Sequence, residues 1–271
     1  MKGFFFARGI LIGIGLVAIL TLASSTVPVY GQDFMYKEFD GVILFYSPKE
    51  TTTYRDLLPP VFDLPENPLV EVFVIDYYKM APWALEPYRE AAVFLLGQYK
   101  GEETWHCITM PVTSDRARIG GIKNLGYPKV LAEVVFNRKE PVFSGSLKFN
   151  GKSILELTLD TGNQTVSSKE REWFKRLAGI PSLNIREGKL VDPLPGSRNF
   201  KTSMLDLAER YPERFRVRVG RATLTGHPEA APLDQDWRPK AFGLEIKEIV
   251  LAYYFQNKHG FSFGRPKVVS E

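Results

Sequence analysis

The residues whose types could support chemistry are concentrated in the stretch Ser114–Lys129, which contains two arginines and two lysines. An arginine can bind a carboxylate through two parallel hydrogen bonds, so Arg116 either binds a substrate carboxylate or pairs with a nearby acid such as Asp115. A lysine becomes a nucleophile only when its amine is neutral. On residue type alone we expect Lys123 and Lys129 to be surface charges, and Tyr127-Pro128 to form a structural turn.

Other common catalytic motifs are missing from the sequence. It has no phosphate-binding loop, dinucleotide fingerprint or nucleophile elbow, and its histidines lack the spacing of metal ligands. Cys107 is the only cysteine, which excludes an internal disulfide. If Cys107 lies on a strand, its neighbour His106 points to the opposite face, so we expect Cys107 to be a buried small apolar residue. The sequence therefore predicts no metal and no cofactor.

The order of short motifs around this stretch resembles that of the acetoacetate decarboxylase family. That family has a Gly-Arg-Glu element, then Tyr/Phe-Pro-Lys, then a strand with Gly-Ser/Thr-Leu. This chain has Arg116, then Gly126-Tyr127-Pro128-Lys129, then Gly145-Ser146-Leu147. Further matches extend the resemblance over roughly residues 36–269: Leu57-Leu58-Pro59, Tyr88-Arg89-Glu90, Pro181-Ser182-Leu183 and Leu244–Val250.

The resemblance implies both a fold and a site. The fold is a β-rich α+β domain whose antiparallel sheets form a cone-like barrel around a central pocket, with a few outer helices. Glu90 matches the carboxylate of a Tyr-x-Glu motif and would act as the general acid and base. Arg116, Tyr127 and Lys129 would bind the substrate, a small carboxylate or oxo acid. Ala117 stands where the family has the glutamate of Gly-Arg-Glu.

The family reaction depends on a lysine amine that forms a Schiff base with a β-keto acid. We expect that lysine after the Gly-Ser/Thr-Leu hairpin, near residues 160–163, and the chain has no lysine between Ser153 and Ser168. The nearest candidates, Lys152 and Lys169, are expected in solvent. The sequence therefore indicates that the scaffold persists while the Schiff-base lysine is lost.

Three hypotheses for function remain open. In the first, the chain binds a small oxo acid and either catalyses lysine-free proton transfer or only binds. In the second, it is a genuine β-keto acid decarboxylase, a carboxy-lyase, in which Lys123 or Lys152 supplies the amine. In the third, it is a non-catalytic envelope protein that binds an apolar ligand or a partner.

The elements expected to position these residues are mostly strands. Apolar runs predict strands near residues 42–46, 69–78 and 131–136, and a hairpin is predicted from 88–99 and 103–112. Asn150-Gly151 predicts a second hairpin. Ser167 or Ser168 is expected to cap a helix that ends at Leu177, and 204–210 is a second helical stretch. The alternation over 214–223 and the run 243–255 predict further strands.

The N-terminus has the pattern of an export signal. Lys2 and Arg8 flank an apolar run, Ile10–Ala23, which is followed by small and polar residues. Residues 1–31 are predicted to be a signal peptide or, if uncleaved, a membrane anchor formed by residues 4–23. Residues 32–271 are then a single domain that is periplasmic, extracellular or tethered outside the membrane.

Composition narrows the range of partners. Lys and Arg exceed Asp and Glu by only 35 to 31, which is too small a difference to favour nucleic acid. The expected partners are a small carboxylate or oxo-acid ligand, the membrane only through the N-terminal segment, and a second copy of the chain in a homo-oligomer.

Overall fold

The computed structural model describes residues 35–195, 202–233, 237–261 and 265–269, so the predicted N-terminal signal or anchor lies outside the described residues. Across these ranges the chain forms three β-sheets and a few short helices, which confirms the expected β-rich α+β class. Within the same ranges, no helix has the length and apolar character needed to cross a membrane.

The strands, in chain order, are β1 (Tyr36–Pro48), β2 (Val70–Met80), β3 (Tyr88–Tyr99), β4 (Glu102–Val112), β5 (Lys129–Leu131), β6 (Glu133–Lys139), β7 (Val142–Phe149), β8 (Lys152–Asp160), β9 (Asn184–Arg186), β10 (Lys189–Asp192), β11 (Phe215–Val219), β12 (Arg221–Gly226), β13 (Ile246–Asn257) and β14 (Lys267–Val268). The α-helices are α1 (Thr52–Leu57), α2 (Asp115–Gly120), α3 (Ser168–Leu177) and α4 (Met204–Arg210). A π-helical turn, Gly121–Leu125, continues directly from α2, and 3-10 turns cover Pro228–Ala230 and Pro239–Gly243.

The largest sheet has seven strands in the order β11-β13-β1-β2-β3-β4-β5. Every neighbouring pair is antiparallel except β4 and β5, which run parallel. A parallel neighbour cannot follow through a tight hairpin and needs a crossover connection. Here the crossover is α2 with its π-helical turn, which places β5 at the edge of the sheet.

One face of the large sheet packs on a four-stranded sheet of order β12-β8-β7-β6. Apolar side chains from both sheets form a common core, as expected for two stacked sheets. An ionic cluster joins the sheets: Arg138 of β6 donates to Asp40 Oδ2 at 2.6 Å and to Asp76 Oδ2 at 2.9 Å. Tyr254 also donates its hydroxyl to Asp40, which is fully buried.

The opposite face of the large sheet is covered by α3 and α4 and by the segments around them. It carries a second, aromatic-rich core, which includes Phe39, Phe73, Tyr77, Phe94 and Trp105. The candidate site lies on this face.

Most of the predicted elements are confirmed. Both hairpins form, and Asn150 and Gly151 have the positive φ angles of +50° and +75° that a tight turn needs. Ser167 caps α3 through a reciprocal capping box with Glu170.

Three predicted strands differ from those observed. The predicted strand 131–136 is divided between β5, which ends at Leu131, and β6, which begins at Glu133 in the four-stranded sheet. The alternation over residues 214–223 does not form one strand, because the chain leaves the large sheet at Gly220 and β12 pairs with β8 in the other sheet. A Cβ at Gly220 would lie 2.5 Å from the Asp160 carbonyl oxygen, so the crossing between sheets requires glycine. The predicted strand 243–255 begins only at Ile246, because the residues before it form a 3-10 turn.

Candidate functional site

The strand register brings Glu90 and Lys129 together. Glu90 lies opposite Val112 across β3 and β4, and Lys129 lies opposite Met110 across β4 and β5. Val112 and Met110 are two residues apart on β4, so both point to the same face. Glu90 and Lys129 therefore protrude from that same face, on strands separated only by β4.

The two side chains form a buried ion pair. Lys129 Nζ donates to Glu90 Oε2 at 2.8 Å, and each side chain is only 6% exposed. Lys129 is the only buried lysine among the described residues. The expectation that Lys129 is a surface charge is therefore wrong, because its position on β5 directs the side chain toward the aromatic core. Lysine and glutamate are almost never buried unless they are paired, and here they pair with each other.

Three tyrosines surround this pair. Tyr77 donates its hydroxyl to the other carboxylate oxygen, Glu90 Oε1, at 2.8 Å. The ammonium group of Lys129 lies 5.6 Å from the ring centre of Tyr88 and 5.9 Å from that of Tyr127, within the range of cation–π attraction. A fourth ring, Tyr36, places its hydroxyl 3.2 Å from that of Tyr88.

The tyrosine hydroxyls and the cysteine thiol around the pair remain protonated near neutral pH. Burial, the largest cause, and the charge of Glu90 raise the pKa of Tyr77 and of Tyr88 well above the usual value. Burial likewise raises the pKa of Tyr127 and of the Cys107 thiol well above their usual values. The phenols thus act as neutral donors, and Cys107 lacks the thiolate that a nucleophile needs. The prediction that Cys107 is a buried apolar residue is confirmed.

The helical segment before β5 leaves space for the lysine. A Cβ built at Gly121 would lie 2.5 Å from both Cδ and Cε of Lys129, so the lysine stem occupies the space where any other residue would have a side chain. Gly120, its neighbour, faces open space. Gly121 thus allows the segment to pack directly against Lys129.

The other predicted site residues lie in different places. Tyr127 is buried beside Lys129, whereas the side chain of Arg116 is 67% exposed and 3.6 Å from Glu86. Arg116 thus pairs with a nearby acid, one of the two predicted alternatives, but the acid is Glu86, whereas Asp115 pairs with Arg118. Lys123, Lys152 and Lys169 are exposed, as expected.

Sequence reasoning missed three contributors: Tyr77, Gly121 and Glu71. Glu71 is fully buried on β2, on the same face as Tyr77, and its charge, like that of Glu90, raises the pKa of Cys107. The sequence signal for Glu71 was a single carboxylate within an otherwise apolar predicted strand, Val70–Ile75.

In the described part of the chain, no three His, Cys, Asp or Glu residues are grouped as metal ligands would be.

Comparisons with known proteins agree with this architecture. A family model described as acetoacetate decarboxylase (ADC) matches residues 24–271. None of the curated proteins matches the chain by sequence.

Among solved structures, the chain is similar to an acetoacetate decarboxylase from Legionella pneumophila, with 19% identity, a TM-score of 0.60 and coverage of 91% of this chain and 93% of that chain. It is also similar to an acetoacetate decarboxylase-like enzyme from Sphingomonas wittichii RW1, with 16% identity, a TM-score of 0.59 and coverage of 92% and 99%. A third is the enduracididine biosynthesis enzyme MppR complexed with pyruvate, with 15% identity, a TM-score of 0.54 and coverage of 86% and 90%. At these identities the likeness concerns the fold.

Proposed function

This chain belongs to the acetoacetate decarboxylase family, and we propose that it is a carbon–carbon lyase for β-keto acids that forms a Schiff base on Lys129. The buried ion pair between Lys129 and Glu90, at 2.8 Å, is the observation that carries the proposal. A buried ion pair is weak evidence of stabilisation, because removing two charges from water costs several kcal/mol per ion. A pair kept at that cost in an aromatic core suggests a functional requirement.

The geometry suits the first step of the reaction. The nucleophile must be a neutral amine, and Glu90 Oε2 lies in direct hydrogen-bonding contact with Lys129 Nζ. Transfer of one proton along this hydrogen bond gives the neutral amine that the reaction needs and leaves Glu90 as a neutral carboxylic acid. The free amine then attacks the ketone carbon, and the carbonyl oxygen leaves as water after it takes the proton that Glu90 received, which gives an iminium ion beside a Glu90 carboxylate.

Carbon–carbon cleavage follows from the iminium. The bond between the α-carbon and the carboxylate breaks, carbon dioxide leaves, and the electron pair moves into the iminium to form an enamine. A proton must then return to carbon. It comes from water and can be delivered through the Glu90 carboxylate, which lies within hydrogen-bonding distance of Lys129 Nζ. Water finally hydrolyses the resulting imine, releases the ketone and restores Lys129.

This proposal replaces the sequence-based expectation that the Schiff-base lysine is lost. That expectation assumed a lysine after the hairpin of β7 and β8, whereas the lysine with a suitable environment lies on β5. The exposed positions of Lys123 and Lys152 do not favour either as the amine, because neither lies in the apolar surroundings that activate a lysine nucleophile.

Borohydride trapping tests the proposal. The full chain is incubated with acetoacetate and sodium borohydride, and intact-mass spectrometry then measures the covalent adduct. We expect the wild type to gain an adduct without the carboxyl group if carbon dioxide leaves before reduction. An adduct that keeps the carboxyl group would show imine formation without decarboxylation.

The matched variants are Lys129→Arg and Lys123→Arg, which change a buried and an exposed lysine of the same stretch. Arginine keeps a positive charge beside Glu90, which limits the loss of stability that follows when a buried charge loses its partner, roughly 3–5 kcal/mol. We expect Lys129→Arg to abolish the adduct and Lys123→Arg to retain it. Equal labelling of both variants would refute the assignment, and no labelling of the wild type would favour a protein that only binds its ligand.

A further inference from the structure

A surface pocket of about 470 Å³ lies at the end of β2. It is lined by the end of β2, by the loop that joins β2 to β3, and by Arg116 of α2. The lining residues are Tyr78, Lys79, Met80, Ala81, Pro82, Ala84, Leu85, Glu86, Pro87 and Arg116.

This pocket begins where the wall of the buried site ends. The last registered pair of the β2–β3 ladder is Tyr77 with Tyr88, and both tyrosines contact the Lys129–Glu90 pair. The next residue outward on one strand, Tyr78, and the residue preceding the other, Pro87, both line the pocket. Met80 and Leu85 also pack against the aromatic core that contains these tyrosines. The pocket and the buried site thus share a wall.

Helix α2 provides a second link between them. Arg116 lines the pocket at the start of the helical segment, and Gly121, five residues later, touches the stem of Lys129. The segment therefore has one end at the pocket and the other against the amine.

Arg116 is held only weakly in the pocket. Its Nη1 lies 3.6 Å from Glu86 Oε2, and both side chains are at least half exposed, so the pair contributes little to stability. Glu86 has an alternative partner, because it also accepts a hydrogen bond from the hydroxyl of Ser114. A carboxylate that enters the pocket can therefore displace Glu86 from Arg116 and leave Glu86 bound to Ser114.

We propose that this pocket is the entry subsite for anionic carbonyl compounds and that Arg116 captures their carboxylate before the carbonyl reaches Lys129. Capture of the carboxylate by Arg116 does not depend on the proposed function; only the second step, in which the carbonyl reaches Lys129, rests on it. The subsite selects carboxylates over the corresponding neutral esters, because the guanidinium group of Arg116 binds a planar carboxylate through two hydrogen bonds.

Binding is tested separately from reaction with 3-hydroxybutyrate, a carboxylate of similar size that cannot form an imine. Ligand-observed NMR titrations compare the full-length wild type with Arg116→Gln and Arg118→Gln. Arg118 lies on the same helix but pairs with Asp115 and does not line the pocket. We expect Arg116→Gln to weaken binding roughly tenfold, as for loss of a charge-assisted hydrogen bond, and Arg118→Gln to leave it unchanged.

Glu86→Gln provides a test with the opposite sign. It removes the competing carboxylate from Arg116, and we expect 3-hydroxybutyrate to bind a few-fold more tightly. Equal affinities of the wild type, Arg116→Gln and Arg118→Gln, or no binding to the wild type, would overturn the entry subsite.

Trapping rates with acetoacetate and with its neutral ethyl ester separate the two proposals. We expect Arg116→Gln to slow trapping of the acid and not of the ester. If binding depends on Arg116 but neither compound labels the wild type, the entry subsite stands and the lyase proposal fails. If both compounds label Lys129, the acetoacetate adduct lacks the carboxyl group and Arg116→Gln slows neither reaction, the lyase proposal stands and the entry subsite fails.

Discussion

The two oxygens of the Glu90 carboxylate have different partners. Oε2 accepts from Lys129 and Oε1 accepts from Tyr77, each at 2.8 Å. This division fixes the rotation of the carboxylate and keeps one oxygen directed at the amine. The hydroxyl of Tyr77 is thus a positioning group that acts through Glu90.

The variant Tyr77→Phe tests this role at the residue scale. Loss of a hydrogen bond to a buried charged group should lower the free energy of unfolding by roughly 1.5–3 kcal/mol. We also expect borohydride trapping with acetoacetate to slow about tenfold, because Glu90 can then rotate away from Lys129. Urea denaturation and the trapping rate are the two measurements.

Tyr46→Phe is the matched control, since this buried tyrosine belongs to the core on the other face of the sheet and its hydroxyl donates to the Leu244 carbonyl oxygen at 3.3 Å. Its effect on the unfolding free energy should be roughly 0.5–1.5 kcal/mol and its trapping rate should match the wild type. If Tyr77→Phe and Tyr46→Phe trap at the same rate, Tyr77 has no positioning role.

At the scale of elements, the segment formed by α2 and its π-helical turn brings Lys129 into the core. Gly120 and Gly121 both have right-handed helical angles, with φ of −62° and −64°, so the backbone accepts alanine at either position. Only Gly121 is in contact with the lysine stem. Alanine substitutions at the two glycines therefore distinguish the effect of helix propensity from the effect of a contact with Lys129.

We expect Gly121→Ala to impair adduct formation and Gly120→Ala to leave it intact. The new methyl group would overlap Cδ and Cε of Lys129 and displace its amine from Glu90, whereas alanine at position 120 meets no atom within 4 Å. Gly120→Ala should even stabilise the fold by about 0.4–1 kcal/mol, as alanine restricts the unfolded chain. The trapping rate and thermal unfolding check both effects, and unimpaired trapping by Gly121→Ala would contradict this packing.

Elements with local signals were predictable from the sequence, whereas those set by distant contacts were not. The hairpin at Asn150-Gly151 and the Ser167 cap depend on neighbours within a few residues, and both are confirmed. The alternation of apolar and polar residues over 214–223 indicates which side chains share a face of a strand, but not which strand pairs with it. The change of sheet at Gly220 was therefore not predictable. Burial of Lys129 depends on a three-residue strand paired in parallel with β4, which no local pattern reveals.

At the scale of the whole molecule, the large sheet separates the aromatic core with the site from a second core shared with the smaller sheet. His106 lies on the side of the second core, where its ring is 4.9 Å from that of Phe62 and its Nδ1 donates to the Leu183 carbonyl oxygen at 2.8 Å. Burial lowers the pKa of His106 to about 4. His106 and Cys107 face opposite cores, as predicted from their adjacency on a strand.

This histidine makes the stability of the fold depend on pH. Between pH about 6.5 and about 4 the unfolded chain binds a proton at His106 and the folded chain does not, so stability falls as the pH falls. The loss is complete below pH about 4 and amounts to roughly 3 kcal/mol. Urea denaturation at several pH values should show a shallower pH dependence for His106→Gln than for the wild type.

His227→Gln serves as the comparison, because His227 is partly exposed and its only ionic contact in the described residues is with Glu229 at the surface. It should keep the pH dependence of the wild type. A wild-type slope that His106→Gln leaves unchanged would show that other groups cause the acid sensitivity.

The reactive lysine is tested most directly by locating the borohydride-reduced acetoacetate adduct by peptide mapping of the wild-type protein. We predict a single modified lysine, Lys129, whose added group has lost the carboxyl carbon. Modification of Lys123, Lys152 or another exposed lysine, with Lys129 unmodified, would contradict the claim that the buried pair on β3 and β5 is the reactive centre.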